Sequence, residues 1–222
     1  MNILVVDIGG THIKFRTQKH RVPVKFDSGP KMTPKMMMAQ LLEATSDWDY
    51  ERVSLGFPAP VIHNRILHEP YNLGSGWVKF DFEQAFSGKP TRIVNDAALQ
   101  ALGSYRKGRM LFLGLGTGLG SAMVADGIVQ PMELAHLPWK KGRTYEDYLG
   151  AAGLKRHGKK KWTKNVVEVT DSLRQALEAD SIVLGGGNAP LVDPLPKGAT
   201  LGANENAFKG GFLLWKSDKG FS

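Results

Sequence analysis

One glycine-rich turn occurs twice in this chain, each time directly after an apolar β-type run. The first turn spans residues 7–11 and the second spans residues 114–120. Glycine permits a tight turn with uncovered backbone N–H groups, which can hold a phosphate. A second strand-like segment follows each turn, whereas Rossmann and Walker turns lead into a helix. The repeat therefore predicts an internal duplication, with a phosphate-binding hairpin turn in each half.

The remaining pattern predicts an α/β fold of two lobes with a cleft between them. Thr33 and Pro34 are typical of a helix start, and the methionine-rich segment after them is expected to pack in the core. A long amphipathic helix is predicted over 162–179, and a final helix over 204–215 is weakened by its two adjacent glycines. The predicted units are an N-terminal lobe (1–97), a C-terminal lobe (98–203) and a C-terminal segment (204–222) that packs back on the first lobe.

Composition excludes several classes of protein. The 222 residues suffice for one large or two small cores, and they include no cysteine. Disulfides and thiolate metal sites are therefore excluded. No apolar run is long enough to span a bilayer, and a cytoplasmic protein is predicted. The net charge of +8 favours polyanionic partners, although a basic run can also be a plain solvated surface.

Asp96 is the strongest catalytic candidate. It follows a predicted strand at 91–94 and opens a predicted helix, a location that favours binding groups in α/β sheets. Phosphoryl transfer to a hydroxyl needs a carboxylate within hydrogen-bond reach of that hydroxyl. The alternative is that Asp96 only caps the helix. Between two phosphate-type turns, the role of general base is preferred.

Asp7 ends the first strand, immediately before the first glycine turn. A carboxylate there can hold Mg²⁺ through water beside donor phosphates. Alternatively, Asp7 accepts hydrogen bonds from its own loop.

Polar side chains that suit a polyol acceptor lie between and after the turns. Glu133 and His136 are three residues apart, so one helical turn would put them on the same face. A metal there is disfavoured because neither cysteines nor paired histidines accompany them. The candidate acceptor-binding residues are Asn72, Asn95, Glu133, His136 and Glu146.

Two further segments are candidates for contacts with the donor. The glycines at 185–187 follow a strand and would allow close approach of an adenosine, or they form a tight turn only. Lys159, Lys160 and Lys161, with Lys140, Lys141 and Arg143, would suit a long polyanion through spread charge.

The motifs at 7–11, 95–97, 115–120, 133–136 and 184–187 together resemble the ROK family of sugar kinases, within the actin/hexokinase/Hsp70 superfamily. The polyphosphate glucokinase branch is the most similar. Its features include the segments 72–77, 145–148 and 161–164. The resemblance covers residues 2–187 and is weaker afterwards.

This resemblance implies a kinase for the 6-hydroxyl of glucose or a close hexose, with Asp96 as general base. It implies a Mg²⁺-dependent homodimer that uses polyphosphate, ATP or both. The implied donor-binding residues are Gly9, Gly10, Thr11 and Lys14 on one side and Gly116, Thr117 and Gly118 on the other, with Gly185, Gly186 and Gly187 beside a nucleotide. The lack of cysteine departs from the zinc-binding motif common in the family, so no structural zinc is expected.

Other functions stay open at this level. The polar residues do not separate glucose from mannose or amino sugars, and the shortened C-terminal part puts a nucleotide pocket in doubt. A strictly ATP-dependent kinase and a non-catalytic sugar-binding regulator are the alternatives. A nucleic-acid binder is disfavoured because Trp162 is the lone aromatic residue interleaved with the basic run.

Overall fold

The computed structural model describes residues 1–203 and 205–216. Within them, twelve strands and six α-helices alternate along the chain. The strands are β1 (Ile3–Ile8), β2 (His12–Arg16), β3 (Val24–Asp27), β4 (Arg52–Phe57), β5 (Val61–Ile62), β6 (Arg65–Ile66), β7 (Thr91–Asn95), β8 (Arg109–Leu115), β9 (Leu119–Ala125), β10 (Ile128–Met132), β11 (Ser181–Gly185) and β12 (Ala199–Leu201). The helices are α1 (Pro34–Ala44), α2 (Phe82–Ala85), α3 (Asp96–Ser104), α4 (Tyr145–Leu149), α5 (Ala151–Ala176) and α6 (Asn206–Leu213).

Two five-stranded sheets share one topology. Their strand orders are β3-β2-β1-β4-β7 and β10-β9-β8-β11-β12. In each order, the first three strands are antiparallel to their neighbours. The last two strands are parallel to the third strand and to each other. Both glycine turns therefore connect a central strand to its antiparallel neighbour. The predicted repeat and the predicted two-lobed α/β class are confirmed.

Apolar residues on the inner positions of each sheet form separate cores. The first core surrounds Phe15, Phe57 and Trp77, and the second includes the fully buried Trp162. Helix α1 begins as predicted, with the Thr33 side chain accepting a hydrogen bond from a first-turn amide. Only part of its methionine-rich stretch is core. The buried positions are Met37, Met38 and Leu41, whereas Met36 and Leu42 are exposed.

Helix α5 starts earlier than the predicted boundary at 162. It runs over Ala151–Ala176 with one break at Gly158, whose φ is +71°. The segment before the break is rich in alanine, leucine, lysine and arginine, all good helix formers. The basic run therefore lies on the helix, and Trp162 is buried with its indole N–H bonded to the Leu149 carbonyl at 2.9 Å.

Helix α6 confirms the predicted final helix, although it covers Asn206–Leu213 and is therefore shorter than the predicted 204–215. Asn204 lies outside the described residues. Its glycines permit close packing, because a Cβ at Gly210 would clash with the Leu99 carbonyl of α3. Gly103 of α3 likewise abuts the Asn206 carbonyl. The helix also packs on β1 and β4. Here the adjacent glycines serve helix packing, not helix termination.

None of the helices within residues 1–203 and 205–216 has the length and apolar character needed to cross a membrane. The proposed division into units 1–97, 98–203 and 204–222 stays a prediction.

Candidate active site

A cleft of about 770 Å³ is lined by both glycine turns, the β7–α3 junction and the segment after β10. The predicted residues that line it are Gly9, Gly10, Asn72, Asn95, Asp96, Gly116, Thr117, Gly118, Glu133, His136, Glu146 and Gly186. The topology thus brings the catalytic candidate, all the acceptor candidates and both turns to one cavity.

The first turn is closed tightly by protein contacts. The Gly9 amide donates to the His12 carbonyl at 3.0 Å, and the Ser28 hydroxyl donates to the Gly9 carbonyl at 2.6 Å. A Cβ at Gly10 would lie 2.6 Å from the Cβ of Asn72. The donor-side turn therefore contacts an acceptor-side residue directly, and only glycine allows this approach.

The second turn is more open toward the cleft. The Asn188 side-chain amide donates to the Gly116 carbonyl at 3.1 Å, and the Ala151 amide donates to the carbonyls of Gly116 and Thr117, each at 3.1 Å. Among the described residues, the amides of Thr117 and Gly118 donate to no protein acceptor. A Cβ at Gly116 would meet nothing within 4 Å. Free amides beside open space are suited to a bound anion.

Asp96 lies at the N-terminus of α3. Its Oδ1 accepts from the Ala97 amide at 2.7 Å, and Asn95 Oδ1 accepts from the same amide at 2.9 Å. Because Asn95 also caps the helix, helix capping does not depend on Asp96 alone. Burial, the nearby Asp7 and, less strongly, Glu133 raise the pKa of Asp96 to about 7. A carboxyl that titrates near neutrality is suited to accept a proton.

Asp7 lies close enough to Asp96 to raise the pKa of that residue, although it is not on the cleft wall itself. Burial raises the pKa of Asp7, and Lys14, its cross-strand partner, lowers it. No group of three or more metal-ligating side chains occurs within residues 1–203 and 205–216. Asp7 with one further carboxylate would fit Mg²⁺, which takes one or two carboxylates when substrate phosphates supply further ligands.

The acceptor candidates cluster as the three-residue spacing predicts. A short 3₁₀ turn over Leu134–His136 leaves His136 Nε2 3.9 Å from Glu133 Oε2. Burial raises the pKa of Glu133, and Glu146 adds to this effect while His136 opposes it. Glu146 Oε2 also accepts from the Leu119 amide at 3.0 Å. One carboxylate therefore links the acceptor cluster to the end of the second glycine turn.

Several candidates lie off the cleft wall. Thr11 is exposed and its carbonyl accepts from the Ser28 amide at 2.9 Å, while Gly185 is buried against the Phe112 ring. The other candidates absent from the wall are Lys14, Gly187, Lys159, Lys160 and Lys161.

Sequence reasoning missed Gln100 and Ser121, both on the cleft wall. Gln100 lies one helical turn after Asp96, a spacing that could have identified it. Ser121 donates to the Met132 carbonyl at 2.8 Å and accepts from the Leu134 amide at 3.1 Å. It thereby fixes the backbone on both sides of Glu133. The sequence gives no local signal for this, because the contact crosses β9 and β10.

Known proteins resemble the chain in sequence and in fold. No family model matches it. A polyphosphate glucokinase from Mycobacterium tuberculosis is 24% identical over 210 residues, covering 85% of this chain and 78% of the relative. An inorganic polyphosphate/ATP-glucomannokinase from Arthrobacter sp. strain KM superposes with a TM-score of 0.80 at 21% identity, covering 97% of this chain and 99% of the other. A ROK family glucokinase from Streptomyces griseus, solved with glucose and AMPPNP, gives a TM-score of 0.71 at 16% identity, with 95% and 97% coverage.

These likenesses confirm the predicted fold and the predicted resemblance. The chain has the two-lobed fold of the ROK sugar kinases. In sequence it is similar to polyphosphate glucokinase.

Proposed function

We propose that this protein is a glucokinase, which transfers a phosphoryl group from polyphosphate, ATP or both to the 6-hydroxyl of glucose. One observation carries the proposal: Asp96, a half-buried carboxyl with a pKa of about 7, shares a cleft with two glycine turns and the Glu133–His136 pair. The similarity to polyphosphate glucokinase supports the same class of phosphotransferase.

Asp96 is proposed to accept the proton of the attacking hydroxyl as its oxygen bonds to the terminal phosphorus. The bond from that phosphorus to the bridging oxygen of the donor breaks, and ADP or the shortened polyphosphate leaves with this oxygen. The other hydroxyls of the sugar would be held by the acceptor candidates Glu133, His136, Glu146, Asn72 and Asn95. Carboxylates, imidazole and amides supply the acceptors and donors that neighbouring hydroxyls need. Fixing the sugar beside the donor replaces a bimolecular encounter with an aligned one.

The donor phosphates are proposed to bind at the free amides of Thr117 and Gly118, opposite Gly9 and Gly10. Preorganised amide donors stabilise charge that develops on the transferred group without a reorganisation cost. Gly186, which also lines the cleft, would lie beside a nucleotide donor. Bound Mg²⁺ would neutralise charge on the donor phosphates, and Asp7 would contact it through water.

Homodimer formation and a cytoplasmic location follow from the family resemblance and the sequence, and they stay predictions.

A coupled assay for glucose 6-phosphate tests the proposal, run with ATP alone and with polyphosphate alone. We expect formation of glucose 6-phosphate with at least one donor. Mannose and glucosamine, run in parallel, measure acceptor specificity. The absence of any phosphorylated sugar with either donor, from protein that binds glucose, would favour a sugar-binding regulator instead.

A further inference from the structure

A dense group of basic side chains lies off the cleft wall, in the segment that joins the acceptor cluster to α5. Residues 140–164 include nine lysines and arginines and two acidic residues, which gives this segment a net charge of +7. The net charge of the whole chain is +8. Within the described part of the chain, Lys140 is the one of these cations that forms a salt bridge, with Glu168 at 2.7 Å. Unpaired like charges repel one another, and a polyanion relieves that repulsion.

The loop around Lys141 and the first part of α5 lie against each other. The Trp139 amide donates to the Arg143 carbonyl at 2.7 Å, which closes a small loop that carries Lys141 at its tip. The Tyr148 hydroxyl donates to the Lys140 carbonyl at 3.2 Å, and the Tyr148 ring stacks on His157 of α5 with centroids 5.2 Å apart. The loop and the start of the helix are thus held side by side.

His157 lies at the centre of these cations. Burial lowers the pKa of His157, and the charges of Lys161, Arg156, Arg143 and Lys141 lower it further. All four cationic side chains are exposed. His157 Nε2 is buried and has no hydrogen-bond partner among the described residues.

An acidic neighbour is present but is occupied elsewhere. Hydrogen bonds from Thr144 lower the pKa of the Asp147 carboxyl, and the charges of Arg143 and Arg156 lower it further. Its Oδ2 accepts from the Thr144 amide at 2.9 Å and from the Thr144 hydroxyl at 3.1 Å. Arg156 contacts this region through the Asp147 carbonyl, at 3.1 Å. The cations therefore remain largely uncompensated.

The cluster continues directly from the second glycine turn. The first amide of α5, that of Ala151, donates to the carbonyls of Gly116 and Thr117. The positive end of the helix dipole therefore lies at the turn. Lys161 lies ten residues further along, roughly 15 Å at 1.5 Å per residue, with the Gly158 break between.

We propose that Lys141, Arg143, Arg156 and Lys161 bind the distal part of a linear inorganic polyphosphate whose reacting end lies at the second glycine turn. This inference rests on the proposed kinase function and names the site for the donor chain. A nucleic acid fits less well because the described aromatic rings of this segment pack against other groups of the protein, with Tyr145 edge-on to Trp139. Trp162 is buried, the Trp139 ring is covered by the Lys140 ammonium at 4.0 Å, and Tyr148 is buried.

Charge neutralisation with a matched control tests the site. One variant combines Lys141→Gln, Arg143→Gln and Lys161→Gln. The control combines Lys35→Gln, Lys107→Gln and Lys197→Gln, which removes the same charge from exposed positions outside residues 140–164. KM is measured for long-chain polyphosphate, tripolyphosphate and ATP at several salt concentrations. Binding of long-chain polyphosphate without sugar is measured separately, so that the result does not depend on turnover.

We expect the site variant to raise KM and Kd for long-chain polyphosphate by about tenfold or more and to flatten their salt dependence, since fewer counterions are released. KM for tripolyphosphate and ATP should stay within about twofold, because short donors do not reach the cluster. The control variant should behave like the wild type.

Equal losses for all three donors, or equal losses in the two variants, would overturn the inference while leaving the kinase function intact. Tighter binding of an RNA or of anionic vesicles than of polyphosphate, at matched phosphate concentration, would also overturn it. If no donor phosphorylates sugar, the kinase proposal fails, and the binding comparison alone then decides whether the site exists.

Discussion

The two halves of the molecule have the same strand order but end their sheets differently. In the first half, the last strand β7 ends at Asn95 and leads directly into α3 with Asp96. In the second half, the corresponding β12 is short and largely exposed, and no carboxylate directly follows Leu201. The shared topology therefore provides two places for a catalytic group, and one of them holds the half-buried carboxyl of Asp96.

The two glycine turns differ in a complementary way. Gly10 packs against Asn72, so the first turn is fixed by a candidate acceptor-binding residue. Gly116 faces open space, and the two amides after it donate to no acceptor among the described residues. We infer a division of labour between the turns: the first is fixed against the candidate acceptor-binding residue Asn72, while the second leaves room for the phosphate.

The largest expected effect follows from removing the base in the first half. Asp96→Asn keeps the oxygen that accepts from the Ala97 amide, so α3 should still form. We expect kcat to fall by about 10²–10⁴-fold, the usual contribution of a general base, with the Kd for glucose changed little. Asp47→Asn, at an exposed position, is the control. Retained turnover in Asp96→Asn would show that Asp96 is not the general base.

The same variant should be more stable at pH 8. The pKa of Asp96 in the folded protein, about 7, lies above its ordinary value of 3.8, so ionisation destabilises the fold as pH rises between these values. A shift of this size corresponds to at most about 4 kcal/mol, and we expect a gain of about 2 kcal/mol in the free energy of unfolding. Urea unfolding at pH 8 and pH 3 checks this, since the gain should vanish at the lower pH.

A smaller effect separates the two turns. A Cβ at Gly116 meets nothing within 4 Å, so Gly116→Ala should leave the melting temperature unchanged. If a phosphate lies against this glycine, the methyl group should raise the donor KM by about tenfold, or about 1.4 kcal/mol, without changing the Kd for glucose. Gly10→Ala is the comparison.

Because a Cβ at Gly10 would lie 2.6 Å from Asn72 Cβ, Gly10→Ala should weaken binding of glucose and donor together. Identical effects of the two substitutions would contradict the proposed division of labour between the turns.

The repeated turn and the β7–α3 junction were predictable because each is encoded locally. Apolar runs predict strands, glycines predict turns, and a strand that leads into a helix places Asp96 at a sheet edge. The spacing of Glu133 and His136 likewise predicted their proximity. All of these signals lie within a few consecutive residues.

What could not be predicted depends on contacts between distant segments. The glycines at 210–211 argued against a helix, yet Gly210 lies against the Leu99 carbonyl and allows α6 to pack on α3. Ser121 supports Glu133 only because β9 pairs with β10. The early start of α5 is a different case, because it follows from a local signal: the residues of the basic run favour helix in addition to carrying charge.

The smallest expected effect concerns how the second half tunes the base in the first. Glu133 raises the pKa of Asp96, whereas Glu146 is not among the groups that shift it. Asp96 acts as a base when ionised, so kcat/KM should rise with pH through about 7. Glu133→Gln removes a negative charge that disfavours ionisation of Asp96. The rise in kcat/KM with pH (the rising limb of the pH profile) should therefore move to lower pH. Glu146→Gln should weaken glucose binding and move the rise in kcat/KM less than Glu133→Gln does, because Glu146 acts on the pKa of Asp96 through Glu133. If both variants moved the limb equally, its position would report sugar binding instead of the electrostatic coupling of the two halves.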